Sequence, residues 1–330
     1  MTASRAAAPV RLDFAGGWTD VPPYSAREGG VVVAAAVQLY AYAEVVPRTS
    51  GYGLTSKDLD LALELRSPEE LAGDGPLPLL RAGLRMFRTG PSTLVTRSDA
   101  PPGSGLGSSG AIDVALVSAL AAAAGRRLSQ REVADLACRL EGEEAGIPGG
   151  RQDQFTAAYG GFLRLTFRDP EAGVEPLAPD VDFAAELERR MLLCYTGASR
   201  FSGDTIGRVM RAYERGEPAI AGALDGLRRA AEDMGDAFRA GDLARIGALL
   251  SENWRLQQRL DPAMSTPAMT RLERDMLDAG CLGGKAAGSG AGGSMFFLAP
   301  DDPGAAREAV TRLGMRLLPV RWAPAGVRPC

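Results

Sequence analysis

The sequence predicts an α+β protein, and three observations carry that expectation. Strand-like stretches rich in β-branched residues are interleaved with segments whose apolar residues recur at helical spacing. No fixed-period repeat or low-complexity tail interrupts that mixture. A length of 330 residues with 45% apolar content suffices for two domains with a sizeable core.

Taken in order, residues 30–46 (GVVVAAAVQLYAYAEVV) read as one or two strands and residues 92–97 (STLVTR) as another. After a glycine-rich loop, Ile112, Ala115, Leu116, Ala119 and Leu120 recur at helical spacing until Gly125. Ser129 and Glu132 form an S-x-x-E capping box for a helix carrying Val133, Leu136, Ala137 and Leu140, stopped by Gly146 and Pro148. A further amphipathic segment follows residues 147–151, then a strand from Phe162 (FLRLTF). Residues 169–182 (DPEAGVEPLAPDVD) are rich in proline and acid and read as an interdomain connection. A second unit opens with the strand-like MLLCYTG at Met191, and helical patterns fill residues 219–260 and 267–278. Thr266 caps the latter helix, with Pro267 at its first position. Residues 293–299 and 316–322 read as closing strands around a helix opening at Asp302-Pro303.

Composition excludes several classes. A net charge of −4 and a pI near 5.2 provide no basic face for nucleic acid. No apolar run approaches the ~20 residues of a membrane span. The amino terminus lacks the basic start and apolar stretch of a secretion signal, so a cytoplasmic protein is expected. Cys138, Cys194, Cys281 and Cys330 are too scattered for a zinc site or a disulfide framework. The chain has no histidine, which removes Ser-His-Asp, Cys-His and most zinc chemistry. Acid-base work falls to Asp, Glu, Lys, Tyr or water.

The stretch PPGSGLGSSG at residues 101–110 is the strongest local signal. Glycines opening a helix expose backbone N–H groups to an anion, and Ser108 and Ser109 offer hydroxyls to phosphate oxygens or a magnesium ion. The alternative is a flexible loop whose serines merely cap the helix. Gly105, Gly107 and Gly110 satisfy G-x-G-x-x-G, yet residues 98–102 (SDAPP) separate the loop from its strand, unlike a dinucleotide fingerprint. The Walker ending is absent, because Gly284-Lys285 is followed by Ala286.

PPGSGLGSSG resembles the second of three motifs of the GHMP sugar and metabolite kinases. Residues 8–20 (APVRLDFAGGWTD) resemble the first motif of the sugar-kinase branch, and residues 280–294 (GCLGGKAAGSGAGGS) the third. RLDFAGGWTDVPPYS, GGRQDQFTAAYGGF and TGASRFSGD look most like the branch of D-glycero-D-manno-heptose 7-phosphate kinases and fucokinases. The chain is shorter than the fused bifunctional fucokinases, which favours a standalone heptose-phosphate-kinase-like enzyme. Arg151 stands where lysine is common, and Gly149-Gly150 extends the turn.

The resemblance implies a two-domain fold, with a ribosomal-protein-S5-like domain over residues 1–183 and a ferredoxin-like domain with extra helices over residues 184–330. ATP and Mg2+ would lie between them. Pro102, Gly103, Ser104, Gly105, Leu106, Gly107, Ser108, Ser109 and Gly110 would hold the nucleotide with Lys285, Gly288 and Gly290. Ser109 and Glu141 would bind the metal, Asp153 would accept or orient the hydroxyl proton, and Arg11 would keep Asp153 ionised. Gly17, Trp18, Thr19, Asp20, Gly150, Arg151, Gln152 and Asp153 would meet the sugar, with Arg151 and Arg200 as cations for a substrate phosphate.

The implied reaction is γ-phosphoryl transfer to the anomeric hydroxyl of a heptose 7-phosphate or similar sugar. A fucose-like hexose 1-kinase, a sugar sensor without catalysis, a decarboxylase on the same scaffold and a nicotinamide-dependent oxidoreductase are the rivals. A small-molecule sugar is the expected partner of a monomer or homodimer, with no nucleic acid and no membrane.

Overall fold

The computed structural model describes residues 2–197 and 203–330. Its first half is built on one long strand. β1 (Ser4–Ala15) and the helical turn α1 (Tyr24–Arg27) lead into β2 (Gly30–Pro47), a single strand of 18 residues. β2 is followed by β3 (Tyr52–Ser56), β4 (Leu61–Leu65), α2 (Pro78–Met86) and β5 (Ser92–Ser98). Next come α3 (Ser108–Ala123), α4 (Gln130–Arg139), α5 (Gln152–Tyr159), β6 (Phe162–Arg168) and β7 (Glu171–Leu177).

The length of β2 has a topological reason. One of its edges pairs with β1, while the other is shared by two partners in tandem. Residues 30–35 pair with β6, and residues 41–47 with β5. The β6-paired half is buried at every position, whereas the β5-paired half alternates, as expected of a strand covered on both faces and then on one. Helices α3 and α8 (Pro218–Ala240) pack on β1 and β2 and supply that cover.

Residues 169–182 are not an interdomain connection. Residues 171–177 form β7, whose register with β6 runs from Arg168 opposite Glu171 to Phe162 opposite Leu177, and residues 181–182 already open the next helix. β7 has no second strand partner among the described residues, and a proline such as Pro176 is tolerated on such an edge. The composition that resembles a linker is that of an edge strand.

The second half begins with α6 (Val181–Arg190), which contains the expected boundary at residues 183–184. It continues with β8 (Met191–Tyr195), α7 (Gly203–Glu214), α8 and α9 (Leu243–Gln258). The chain then forms α10 (Pro267–Asp278), β9 (Gly283–Ala286), β10 (Ser294–Leu298), α11 (Gly304–Arg312) and β11 (Arg316–Leu318). The strand order β11-β8-β10-β9 is the antiparallel split βαβ arrangement of ferredoxin-like sheets. Its core contains Leu192, Trp254, Met269, Leu272, Met276 and Phe297. Two-domain α+β architecture is therefore what the chain adopts.

Local signals act where the sequence places them. Ser129 Oγ accepts from Glu132 N at 3.3 Å while Glu132 Oε2 accepts from Ser129 N at 2.8 Å, closing the capping box. Met269 N donates to Thr266 Oγ1 at 3.2 Å at the start of α10. The last segment returns to the first sheet, through a bridge between Val37 and Trp322 and through β12 (Arg328–Pro329) beside β1.

That return crosses the turn between α5 and β6, where Gly160 has φ +74° and a Cβ would overlap the backbone of Ala325 and Gly326. Gly160→Ala combines a disfavoured backbone with a steric conflict. We expect a loss of about 3 kcal/mol or more in urea unfolding. A loss below about 0.5 kcal/mol, the level of a neutral surface change, would show that the tail does not pack there.

Candidate active site

The two glycine loops, distant in sequence, are in contact. A Cβ on Gly288 would come within 2.6 Å of Gly105 O, and one on Gly293 within 2.6 Å of Gly103 O. Only bare backbone permits this approach. The first loop ends with Gly107 at φ +74°, capping α3, so the free N–H groups of residues 108–110 open toward the loops. Ser104 Oγ and Ser108 Oγ are buried with no partner among the described residues. A helix N-terminus, two glycine loops and two unpaired hydroxyls form an anion cradle, which fits a nucleotide's phosphates.

Arg11, on β1, locks these parts together. Its Nη1 donates to Gly105 O at 2.5 Å in one loop and to Ala287 O at 2.7 Å in the other. Its Nε donates to Asp153 Oδ1 at 2.8 Å, and its backbone N to Leu106 O at 2.9 Å. Asp153 stands on the first turn of α5, its side chain 24% exposed against 7% for Arg11. Asp153 Oδ2 lies beside Gly107, whose added Cβ would be 3.0 Å away.

Glu141 reaches the same place from another direction. α4 widens into a π-helical turn over residues 140–144, a distortion frequent at functional sites. Glu141 Oε1 accepts from Ser109 Oγ at 3.0 Å and Oε2 accepts from Gln154 Nε2 at 2.6 Å. Burial, then the charge of Asp153, pushes its carboxyl up to about 7. A hydroxyl and a carboxylate beside a phosphate cradle are the oxygen donors that Mg2+ takes.

Beneath them, Asp20 anchors the turn that carries Asp153. It is 1% exposed, and its Oδ2 accepts from Gln152 N, the first N–H of α5, at 2.9 Å. A Cβ on Gly150 would strike that carboxylate, and a Cβ on Gly17 would strike Asp13 Oδ2, so both glycines serve close approach. Gln152 Oε1 is buried with no partner among the described residues.

Four expected site residues are engaged elsewhere. Lys285 does not face the phosphate cradle: it is wholly buried, with Nζ 2.6 Å from Asp13 O and 3.0 Å from Asp13 Oδ2. Burial lowers its pKa against the pull of Asp13. Thr19 has its hydroxyl committed to the fold, donating to Gly16 O at 2.7 Å and accepting from Val31 N at 3.1 Å. Trp18 is packed in an apolar cluster with Tyr24, Val209, Tyr213 and Leu224. Arg151 pairs with Asp169 and donates to Pro170 O and Glu171 O, which ties α5 to the β6–β7 turn. Arg200 lies outside the described residues. Pro102 and Gly103 are exposed at the rim of the cradle, Leu106 is its buried floor, and Gly290 packs on Met264. Gln154 and Asp113, both beside Glu141, carry no motif-level signal, since a lone amide or acid on a helix reads as ordinary composition.

Burial raises Asp20 from 3.8 to about 6. The folded carboxyl holds its proton to higher pH than the unfolded one, so its contribution to stability is full below about pH 4 and fades as pH rises through 6. Asp20→Asn keeps an acceptor for Gln152 N and does not ionise. Its stability relative to the wild type should therefore rise by about 2 kcal/mol between pH 4 and pH 7 in denaturant unfolding. Parallel pH profiles would contradict this assignment.

Known proteins resemble this chain in sequence and in fold. A family model described as GHMP kinases N terminal domain matches residues 79–161, and one described as GHMP kinases C terminal matches residues 234–314. A D-glycero-alpha-D-manno-heptose 7-phosphate kinase of Campylobacter jejuni is 32% identical over 305 residues, 90% of this chain and 89% of that protein. A bifunctional fucokinase/GDP-fucose pyrophosphorylase of Arabidopsis thaliana is 28% identical over 89% of this chain and 29% of its own length. The crystal structure of a D-glycero-D-manno-heptose 1-phosphate kinase from Bacteroides thetaiotaomicron aligns with a TM-score of 0.77 at 27% identity, over 99% of this chain and 98% of that one. With both halves matched and one relative similar along nearly its whole length, the chain belongs to the GHMP kinase family of phosphotransferases acting on alcohol groups.

Proposed function

We propose that this chain is an ATP- and Mg2+-dependent sugar kinase acting on the anomeric hydroxyl of a heptose 7-phosphate or a closely related sugar. The observation that carries this reading is Asp153, held by Arg11 where the two glycine loops meet, with the Ser109–Glu141 pair beside it. The heptose-phosphate kinase and fucokinase relatives support a sugar acceptor. When bound, Mg2+-ATP supplies the phosphoryl group and the cation that offsets its charge.

Each residue has a distinct task. The backbone of residues 103–110 and 287–293 cradles the phosphates, and Ser109 and Glu141 hold the metal. Arg11 occupies Asp153 Oδ1 and leaves Oδ2 to accept the acceptor hydroxyl's proton or orient that hydroxyl. Phosphoryl transfer asks little covalent chemistry of the protein, so positioning and charge stabilisation carry most of the rate. Asp20 and Gln152 form the buried side of the acceptor site, and Gln152 Oε1, buried with no partner among the described residues, is the atom assigned to a sugar hydroxyl.

Hexoses, heptoses and their terminal phosphates, L-fucose included, are incubated with Mg2+-ATP, and phosphorus NMR locates the new phosphate. A heptose 7-phosphate yielding a 1,7-bisphosphate is the expected result; a preference for L-fucose would move the acceptor to the hexose class. Failure of every sugar to form a phosphate ester would refute the kinase reading. Asp153→Asn should lower kcat by roughly 10²- to 10³-fold while the nucleotide Kd stays within about threefold. Unchanged turnover would remove Asp153 from the reaction.

A further inference from the structure

Gln154 stands on α5 next to Asp153, is 1% exposed, and uses one nitrogen for two carboxylates. Its Nε2 donates to Glu141 Oε2 at 2.6 Å and, more weakly, to Asp113 Oδ2 at 3.4 Å. Asp113 is wholly buried on α3, four residues after Ser109, which puts it on the same face of the helix one turn deeper. We infer that Gln154 is a positioning residue that fixes the reach and rotation of the Glu141 carboxylate, with Asp113 as its buried anchor. The inference rests on reading Glu141 as a metal ligand.

The chemistry of the amide makes this arrangement directional. An amide nitrogen has two hydrogens and no acceptor capacity, so it matches two carboxylate oxygens. In the observed orientation Nε2 faces both acids, and Oε1 is buried with no partner among the described residues. Glu141 belongs to a π-helical turn outside regular α4, and Ser109 holds only its Oε1. Gln154 is the group that holds Oε2. Gly110 makes the approach possible, because a Cβ there would lie 3.2 Å from Gln154 Cδ and 2.5 Å from Asp153 Cβ. The same helix turn therefore presents Asp153 to the acceptor and Gln154 to Glu141.

The test uses the full-length chain with a non-hydrolysable ATP analogue and Mn2+ as the probe, free Mn2+ being counted by electron paramagnetic resonance. Gln154→Met, close to isosteric and without the N–H groups, should weaken Mn2+ binding in the nucleotide complex about tenfold. It should raise the half-saturating Mg2+ concentration for turnover similarly while leaving the sugar KM within about twofold. A residue that merely stabilised the fold would shift both constants or neither. If Gln154→Met does not fold, Gln154→Asn replaces it, since its amide is one methylene short of Glu141. Asp113→Leu should change Mn2+ binding in the same direction. Mn2+ binding within twofold of the wild type in a folded Gln154 variant overturns the inference alone. A wild-type chain that takes up no Mn2+ with the nucleotide overturns the metal reading and this inference with it.

Discussion

One buried guanidinium organises the site. Arg11 bonds through its side chain to Gly105, Ala287 and Asp153, and through its backbone to Leu106. These partners belong to two glycine loops and to the helix that carries the acidic residue, segments far apart in the chain. Lysine could not replace it in kind, because a single ammonium lacks the planar fork that reaches several acceptors in fixed directions. The three guanidinium bonds are charge-assisted, and the low exposure of the side chain protects them from water.

The other features follow from bringing three backbones and several acids to one point. Glycines fill the loops because Gly288 and Gly105, and Gly293 and Gly103, approach closer than side chains allow. The carboxyls of Asp20, Glu141 and Asp113 are raised chiefly by burial, so the fold bears an electrostatic cost at this point. Such a cost is characteristic of sites arranged for a cation or a reacting group rather than for stability.

Much of this was legible in the sequence, because it is written in local patterns. The capping box at Ser129 and Glu132, the Thr266 cap and both glycine loops appear where their residues predict. Ser109 and Glu141, 32 residues apart, meet at hydrogen-bonding distance as the motif order implies. What was not legible depends on partners distant in sequence. Lys285 reads as a phosphate ligand until Asp13 appears beside it, and Arg151 as a free cation until Asp169 does. The 169–182 segment reads as a connection because its pairing with β6 leaves no alternating pattern strong enough to outweigh its prolines. Gln154 leaves no signal because a single amide has no periodicity, charge or spacing to announce its two carboxylate neighbours.

Crystals grown with a non-hydrolysable ATP analogue, Mg2+ and a heptose 7-phosphate provide the most direct measurement. The account predicts the triphosphate between residues 103–109 and 287–293, the metal against Ser109 and Glu141, and the anomeric hydroxyl facing Asp153 Oδ2. A nucleotide bound away from both glycine loops, or a metal that leaves Ser109 and Glu141 paired only with each other, would contradict it.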